Sequence, residues 1–85
     1  MIVLLSNGDA ECAIWTEILT IFQGGIEIMY PCEGDTERIE YLGGWPWRGV
    51  SYAACTIYAD DEAYLIEDNY PDAVWFDDRY GLDDE

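Results

Sequence analysis

The chain has 85 residues, 51% of them hydrophobic and 15% aromatic, a composition that predicts one small folded domain. Nineteen acidic side chains are accompanied by only three arginines, with no lysine or histidine, so the formal net charge is −16. Direct binding to nucleic acid or to an anionic membrane is therefore disfavoured, because both need cations that replace counterions. We expect a basic protein surface as the partner.

The first third of the chain is predicted to contain a strand and the main helix. Residues 1–5 are a short apolar run typical of a buried strand. From about residue 9 to residue 23, apolar side chains recur at the spacing of one helical face, namely Ile14, Trp15, Ile18, Leu19 and Phe22. Gly24 and Gly25 follow where a helix could end.

The middle of the chain has the composition of β-structure. Residues 26–30 and 37–42 alternate apolar and polar side chains on either side of a turn, which predicts a β-hairpin. The glycines and proline of residues 43–49 indicate a loop, and residues 50–59 are the longest predicted strand.

Two segments near the C-terminus are harder to assign. The spacing within residues 60–67 is compatible with a second hairpin or with the start of a helix. We favour the hairpin, because Tyr64, Leu65 and Ile66 are good strand residues. A short helix should begin near Pro71 and run to about residue 80.

These elements predict an α+β fold with the order β-α-β-β-β-β-α. The expected architecture is a single domain over residues 1–82, in which one main helix packs on one face of a mixed, mostly antiparallel sheet. The first two strands, joined through the helix, should be parallel. Residues 83–85 should form a frayed acidic end.

No catalytic, cofactor or metal site is predicted. Without histidine or lysine, only a carboxylate could serve as the base that a nucleophile needs. Cys12, Cys32 and Cys55 have no metal-site spacing, which predicts buried thiols in a reducing compartment. Acidic residues 60–62 lack the calcium-loop pattern. With no secretory signal or membrane span apparent, we expect a cytoplasmic protein that is not an enzyme.

The acidic side chains are concentrated at the C-terminal end. Residues 60–85 hold 11 of the 19, and Arg79 is the one cation among them, so this segment carries −10. Apolar residues alternate with these acids, which predicts a folded surface rather than a solvated tail. On a strand, carboxylates two residues apart lie about 6.6 Å from each other, an interval that we expect to imitate phosphates. The predicted partner-binding carboxylates are Asp60, Asp61, Glu62, Glu67, Asp68, Asp72, Asp77 and Asp78.

Trp45 and Trp47 are also candidate partner-binding residues. They belong to a Trp-Pro-Trp-Arg stretch that ends at Arg48. Tryptophan and arginine are common interface anchors, so this stretch could be an exposed aromatic loop. Alternatively, one or both tryptophans could close the edge of a thin core. The sequence leaves both interpretations open.

In size, absence of lysine and mixture of acids with aromatics, the chain resembles the small acidic inhibitors that phages encode. These include nucleic-acid mimics among anti-CRISPR proteins, anti-restriction proteins and inhibitors of uracil-DNA glycosylase. The resemblance implies no fold and no residue roles. It implies an inhibitor that acts in the cytoplasm of an infected host cell as a DNA or RNA mimic. The target would be a basic nucleic-acid-binding protein: a nuclease, a glycosylase or a guide-RNA complex, with an anti-CRISPR role the leading version.

The alternative hypothesis is a small regulatory or assembly adaptor that binds its partner through the loop from Trp45 to Arg48. Its acidity would then serve solubility or salt adaptation. The affinity of such an adaptor should change little with ionic strength, whereas that of a mimic should fall steeply. The sequence leaves the oligomeric state open.

Overall fold

The computed structural model of the protein describes residues 1–8, 10–30 and 34–76. In these residues β-strands predominate, and the helical structure is confined to one segment that consists of a 3-10 turn and the helix α1. The strands are β1 (Ile2–Ser6), β2 (Glu11–Trp15), β3 (Glu17–Phe22), β4 (Gly25–Met29), β5 (Thr36–Glu40), β6 (Trp45–Trp47), β7 (Val50–Tyr52), β8 (Ala54–Tyr58) and β9 (Val74–Phe76). The 3-10 turn is Asp60–Glu62, and α1 is Ala63–Asn69.

The strands form three sheets. The central sheet has the order β8-β1-β2-β9, the outer sheet has the order β3-β4-β5, and β6 pairs with β7 in a small hairpin. Neighbouring strands are antiparallel except for the pair of β2 and β9. The α+β prediction is confirmed, with mostly antiparallel strands and one helix on one face of the central sheet.

Both faces of the two inner strands of the central sheet, β1 and β2, are buried, which explains the continuous apolar run of β1. Val3 and Ile14 face the outer sheet and the small hairpin, where they join the larger core cluster. Leu4 and Ala13 face α1, where Ile66 is fully buried against them. Burial of a side chain of this size stabilises the fold by about 1.5–3 kcal/mol. The helix is therefore held to the sheet by one central apolar contact and its flanking residues.

The segment predicted as the main helix instead contains β2 and β3 within its described residues, 10–23. Thr16 lies between these strands, and its hydroxyl donates a hydrogen bond to the Met29 carbonyl at 2.5 Å. The adjacent pair Ile14 and Trp15 imitates a helical face because β2 is covered on both sides, so neighbouring residues are buried in opposite directions. Gly24 belongs to the turn between β3 and β4 rather than to a helix end.

Other predicted elements also require correction. The strands over residues 1–5 and 26–30 are not parallel partners, because they belong to different sheets. The long strand over residues 50–59 is divided into β7 and β8. Residues 60–67 are helical rather than a hairpin, and residues 71–73 are followed by β9 where a helix was expected. The hairpin of β4 and β5 is confirmed. The predicted end of the last helix and residues 83–85 lie outside the described residues.

Across the residues that the structure describes, no helix is long and apolar enough to cross a membrane.

Candidate protein-binding face

The exposed side of the helical segment displays four of the eight predicted binding carboxylates. Exposed side chains recur one helical turn apart, while Ile66 points to the core from the opposite side. We call the exposed set the acidic helix face: Asp60, Asp61, Tyr64, Glu67 and Asp68. Tyr64 lies between an N-terminal and a C-terminal pair of carboxylates and is 58% exposed. The two pairs are separated by about 10 Å along the helix axis, given the rise per residue.

The carboxylate spacing expected for a strand does not apply to this surface. Because residues 60–69 are helical, Asp61 and Glu62 point in different directions and the charges group in pairs. Glu62 is only partly exposed, and its side chain accepts a hydrogen bond from the backbone N–H of Ala59 at 2.9 Å. The Glu62 side chain therefore stabilises the start of the helical segment.

The helix dipole has opposite effects on the acids at the two ends of the helical segment. Asp60, Asp61 and Glu62 lie in the first turn of the helical segment, where the helix dipole favours anions. Glu67 and Asp68 lie in the last turn, where the dipole disfavours them, and no basic side chain accompanies them. The C-terminal pair of carboxylates thus opposes the stability of the helix that carries it.

Cations do not neutralise the acidic helix face within the described part of the chain, apart from an ion pair between the Met1 ammonium and Asp60. The guanidinium of Arg38 pairs with Glu40 at 3.2 Å on the outer sheet. Arg48 lies over the rings of Trp47 and Phe76, at 4.7 Å and 4.9 Å from their centroids. Both arginines are on the side of the central sheet away from α1, because β5 and Trp47 belong to that side. Within the described residues, the acidic helix face therefore has no arginine beside it.

The remaining predicted carboxylates are placed differently. Asp72 is exposed in the turn between α1 and β9, beyond the C-terminal end of the helix. Asp77 and Asp78 lie outside the described residues. The structure thus brings Asp60, Asp61, Glu67 and Asp68 together on one face, with Asp72 beyond its C-terminal end.

The two candidate tryptophans lie in a hairpin rather than in an open loop. Trp47 is only 4% exposed, belongs to the larger core cluster and meets the Phe76 ring edge-on, with centroids 4.9 Å apart. Trp45 is half-buried and packs edge-on against Tyr41 at 5.4 Å. The interpretation of Trp47 as an exposed partner contact is therefore wrong, and of the two tryptophans only Trp45 reaches the surface.

The turn of this hairpin carries a signal that the sequence analysis missed. Arg48 and Gly49 join β6 to β7 with φ angles of 52° and 82°, as in the two-residue turns that match strand twist. An arginine followed by glycine, between alternating Trp-Pro-Trp and Val-Ser-Tyr, would have indicated the hairpin. The missed signal in the acidic helix face is the recurrence of Asp60, Tyr64 and Asp68 at intervals of four residues.

A polar cluster supports the hairpin from within. The hydroxyl of Tyr30 donates a hydrogen bond to Glu37 Oε1 at 2.5 Å and accepts one from Arg48 Nη2 at 3.5 Å. Burial, with the Glu37 hydrogen bond as the next cause, raises the pKa of Tyr30 to about 12. The indole N–H of Trp47 lies near this hydroxyl but makes no hydrogen bond of normal geometry within the described residues. The exposed Arg48 side chain thus packs across the rings of Trp47 and Phe76.

The described thiols are poorly suited to nucleophilic chemistry. Burial raises the pKa of Cys55 to about 11, and burial also raises the pKa of Cys12, although the nearby Arg48 opposes that shift. Both cysteines are free. Because the thiolate is the reactive form, these residues are protonated and inert at neutral pH. Cys32 lies outside the described residues. No group of three or more potential metal ligands occurs in residues 1–8, 10–30 and 34–76.

Comparison with protein-family models, curated proteins and solved structures gave no match to this chain.

Proposed function

We propose that the protein is a non-enzymatic inhibitor that occupies the basic groove of a nucleic-acid-binding protein with its acidic helix face. The observation that carries the proposal is the placement of four exposed carboxylates around Tyr64 on one side of the helical segment. The two described arginines are held on the other side of the central sheet. A groove that binds phosphates would meet an anionic surface that the packing of Ile66 holds to the central sheet.

The position of Glu67 and Asp68 supports a role in binding rather than in stability. Carboxylates near a helix C-terminus typically cost about 0.3–1 kcal/mol each, and this helix has no cation in its last turn to offset them. Acids that served only solubility could lie on any exposed strand or turn. Their concentration at an unfavourable helix end is expected when the partner itself supplies the compensating cations.

Tyr64 adds an exposed aromatic ring to the acidic helix face, and phosphates cannot make the contacts of such a ring. Its ring is 58% exposed at the centre of the charged surface. An arginine that approaches the neighbouring carboxylates can lie over this ring, and such cation–π contacts contribute about 0.5–2 kcal/mol. We therefore expect the partner groove to present arginine near the centre of the contact and further cations at both ends.

The class of target follows from this chemistry. Grooves that bind nucleic acid gain much of their affinity from counterion release, and an anionic protein surface offers them the same gain. Nucleases, glycosylases and guide-RNA complexes all have such grooves. The size and acidity that the chain shares with phage-encoded inhibitors favour an anti-CRISPR role. The site of action would then be the cytoplasm of the infected host cell.

The test begins with capture from a bacterial lysate at low salt, followed by elution with duplex DNA or guide RNA. The expected result is a nuclease, glycosylase or guide-RNA complex that nucleic acid displaces. The affinity of the purified target is then measured from about 50 to about 200 mM salt, where it should fall steeply. A captured partner that is indifferent to both nucleic acid and salt would overturn the proposal.

Matched variants locate the contact. The triple variant Asp61→Asn, Glu67→Gln, Asp68→Asn removes three charges from the acidic helix face without touching the contacts of Asp60 and Glu62. The control removes three charges elsewhere: Glu11→Gln, Glu27→Gln and Asp35→Asn. The first variant should lose at least about tenfold in affinity, equivalent to about 1.4 kcal/mol. Equal losses in both variants would show that net charge, not this face, determines binding.

The adaptor alternative depends on the stretch from Trp45 to Arg48. Burial of Trp47 and the packing of Arg48 against it leave that stretch with Trp45 as its half-buried aromatic contact. Binding that survives high salt and is lost in Trp45→Ala would favour the adaptor over the inhibitor.

A further inference from the structure

The connection between β1 and β2 contains the sequence Asn7-Gly8 at the surface of the protein. Asn7 is partly exposed and Gly8 is exposed. The backbone N–H of Ala10 donates a hydrogen bond to Asn7 Oδ1 at 2.9 Å, and the backbone N–H of Asn7 donates to the Ala10 carbonyl at 3.1 Å. The Asn7 side chain therefore helps to close the chain between the two inner strands of the central sheet.

The backbone nitrogen of Gly8 is a nucleophile that the chain places next to this side chain. It is bonded to the main-chain carbonyl carbon of Asn7, so its attack on Asn7 Cγ closes a succinimide ring. Gly8 has a φ angle of 91° and no Cβ that could crowd the nitrogen. Its N–H has no hydrogen-bond partner among residues 1–8, 10–30 and 34–76. No described hydrogen bond therefore holds this nitrogen away from Cγ.

The hydrogen bond from Ala10 assists the same attack. Bond formation at Cγ moves negative charge onto Asn7 Oδ1, the oxygen to which the Ala10 N–H already donates at 2.9 Å. A donor aimed at the oxygen where charge develops lowers the barrier to acyl transfer. This contact engages Oδ1 rather than Nδ2, so Ala10 does not retain the nitrogen that has to leave.

We propose that Asn7 is a site of spontaneous deamidation and isomerisation. The Gly8 nitrogen forms a bond to Cγ and gives up its proton, the Cγ–Nδ2 bond breaks, and Nδ2 leaves as ammonia. Water then opens the succinimide. Attack of water at Cγ restores the normal main chain and gives aspartate, whereas attack at the main-chain carbonyl carbon leaves Gly8 linked through Cγ and gives isoaspartate. Water is the one co-reactant, and no oxidant is needed.

The two products differ in what they retain of the connection. Aspartate keeps Oδ1, and a carboxylate accepts from the Ala10 N–H more strongly than an amide does. In isoaspartate the main chain runs through Cβ and Cγ, which lengthens it and moves the free carboxylate onto Cα. Ser6, the preceding residue, pairs with Glu11 in β2 and with Ala54 in β8. Isoaspartate should therefore loosen the end of β1, and aspartate should not.

Asn69, the other asparagine of the chain, lacks these conditions. Its Nδ2 donates a hydrogen bond to the Leu65 carbonyl at 2.8 Å. The N–H of the next residue, Tyr70, donates to the Ile66 carbonyl at 2.7 Å. Contacts at the end of α1 thus hold both the nitrogen that would leave and the nitrogen that would attack. Asn69 is therefore a control within the same molecule.

Incubation of the purified protein at mildly alkaline pH, followed by peptide mapping with mass spectrometry, tests the inference. Alkali assists the reaction because the Gly8 nitrogen must lose its proton. Asn7 should become aspartate and isoaspartate at least about tenfold faster than Asn69 changes, the ratio that a barrier difference of about 1.4 kcal/mol produces. In denaturing urea the Asn69 rate should rise, because unfolding breaks the hydrogen bonds of its reacting nitrogens. The Asn7 rate should not rise.

Stability links the modification to the connection between β1 and β2. The isoaspartate form, separated by chromatography, should unfold at a lower urea concentration than the unmodified protein, whereas Asn7→Asp should not. Asn7→Ser keeps a side-chain acceptor but cannot form the ring, so the mass of its peptide and its urea midpoint should survive the incubation unchanged. These measurements do not depend on the proposed function.

Three results would each overturn the inference. The first is an Asn69 rate as high as that of Asn7 in the folded protein. The second is an Asn7 rate that rises on unfolding, since the fold would then protect the residue. The third is an isoaspartate form as stable as the unmodified protein.

Discussion

The side chain of Glu62 accepts a hydrogen bond from the backbone N–H of Ala59 at 2.9 Å, so a carboxylate secures the start of the helical segment that carries the acidic helix face. The acids at the other end, Glu67 and Asp68, have no such contact within the described residues and oppose the helix dipole. One short segment thus contains acids that stabilise it and acids that destabilise it.

Neutralising the two ends should therefore have opposite effects on stability. Glu67→Gln with Asp68→Asn should raise the free energy of unfolding by about 0.6–2 kcal/mol, because each unfavourable charge costs about 0.3–1 kcal/mol. Glu62→Gln should lower it by about 1 kcal/mol, since the hydrogen bond to Ala59 loses its charged acceptor. Urea denaturation measures both changes. Unchanged or reduced stability in the Glu67–Asp68 double variant would contradict this account.

Ile66 should be the residue that holds the acidic helix face to the fold. It is fully buried against Leu4 and Ala13, and Ile66→Ala should cost about 2–5 kcal/mol through lost burial and the cavity left behind. Leu42→Ala, at a side chain 77% exposed, should change stability by no more than about 0.5 kcal/mol. Thermal denaturation gives both values. Similar losses in the two variants would mean that α1 does not depend on this contact.

Sequence patterns predict best those strands that have one buried face and one exposed face. Residues 26–30 and 37–42 alternate because one face of the outer sheet is buried and the other exposed, so the hairpin could be identified from the pattern. Residues 9–23 could not, because Ile14 and Trp15 enter different core clusters on opposite faces of β2. A local pattern of apolar residues does not distinguish a strand buried on both faces from a helix with one apolar face.

The acidic helix face was only partly predictable. The concentration of acids after residue 60 is plain from composition, but their shared direction depends on whether the segment is helical. Tyr64, Leu65 and Ile66 have strand propensity, and packing of Ile66 on the central sheet overrides it. Trp47 was ambiguous for a different reason: core burial and interface anchoring use the same large aromatic side chains.

The backbone and the side chain of Arg48 should make opposing contributions to the free energy of unfolding. Its φ angle of 52° is left-handed, while its guanidinium packs against the rings of Trp47 and Phe76. Arg48→Ala loses the packing and keeps the backbone strain, whereas Arg48→Gly loses the packing but removes the strain. The glycine variant should therefore be more stable than the alanine variant by about 1 kcal/mol. Equal stability of the two variants would contradict the left-handed turn.

Alkaline pH should destabilise the protein in two overlapping steps. The pKa of Cys55 is raised from 9.0 to about 11 by burial, and that of Tyr30 is raised from 10.0 to about 12 by burial and the Glu37 hydrogen bond. Both groups lose their protons more readily in the unfolded chain. Their contributions are therefore fully present below the unfolded pKa and decline as pH rises through the folded value.

Variants separate the two steps. Tyr30→Phe should flatten the decline in the free energy of unfolding between pH 10 and pH 12, and Cys55→Ala should flatten the decline between pH 9 and pH 11. Urea denaturation across this range gives the profile, and ultraviolet absorbance of the phenolate follows Tyr30 directly. Tyr41→Phe is the control, because Tyr41 is 50% exposed. A decline that persists unchanged in Tyr30→Phe would show that the buried hydroxyl does not contribute to the alkaline loss of stability.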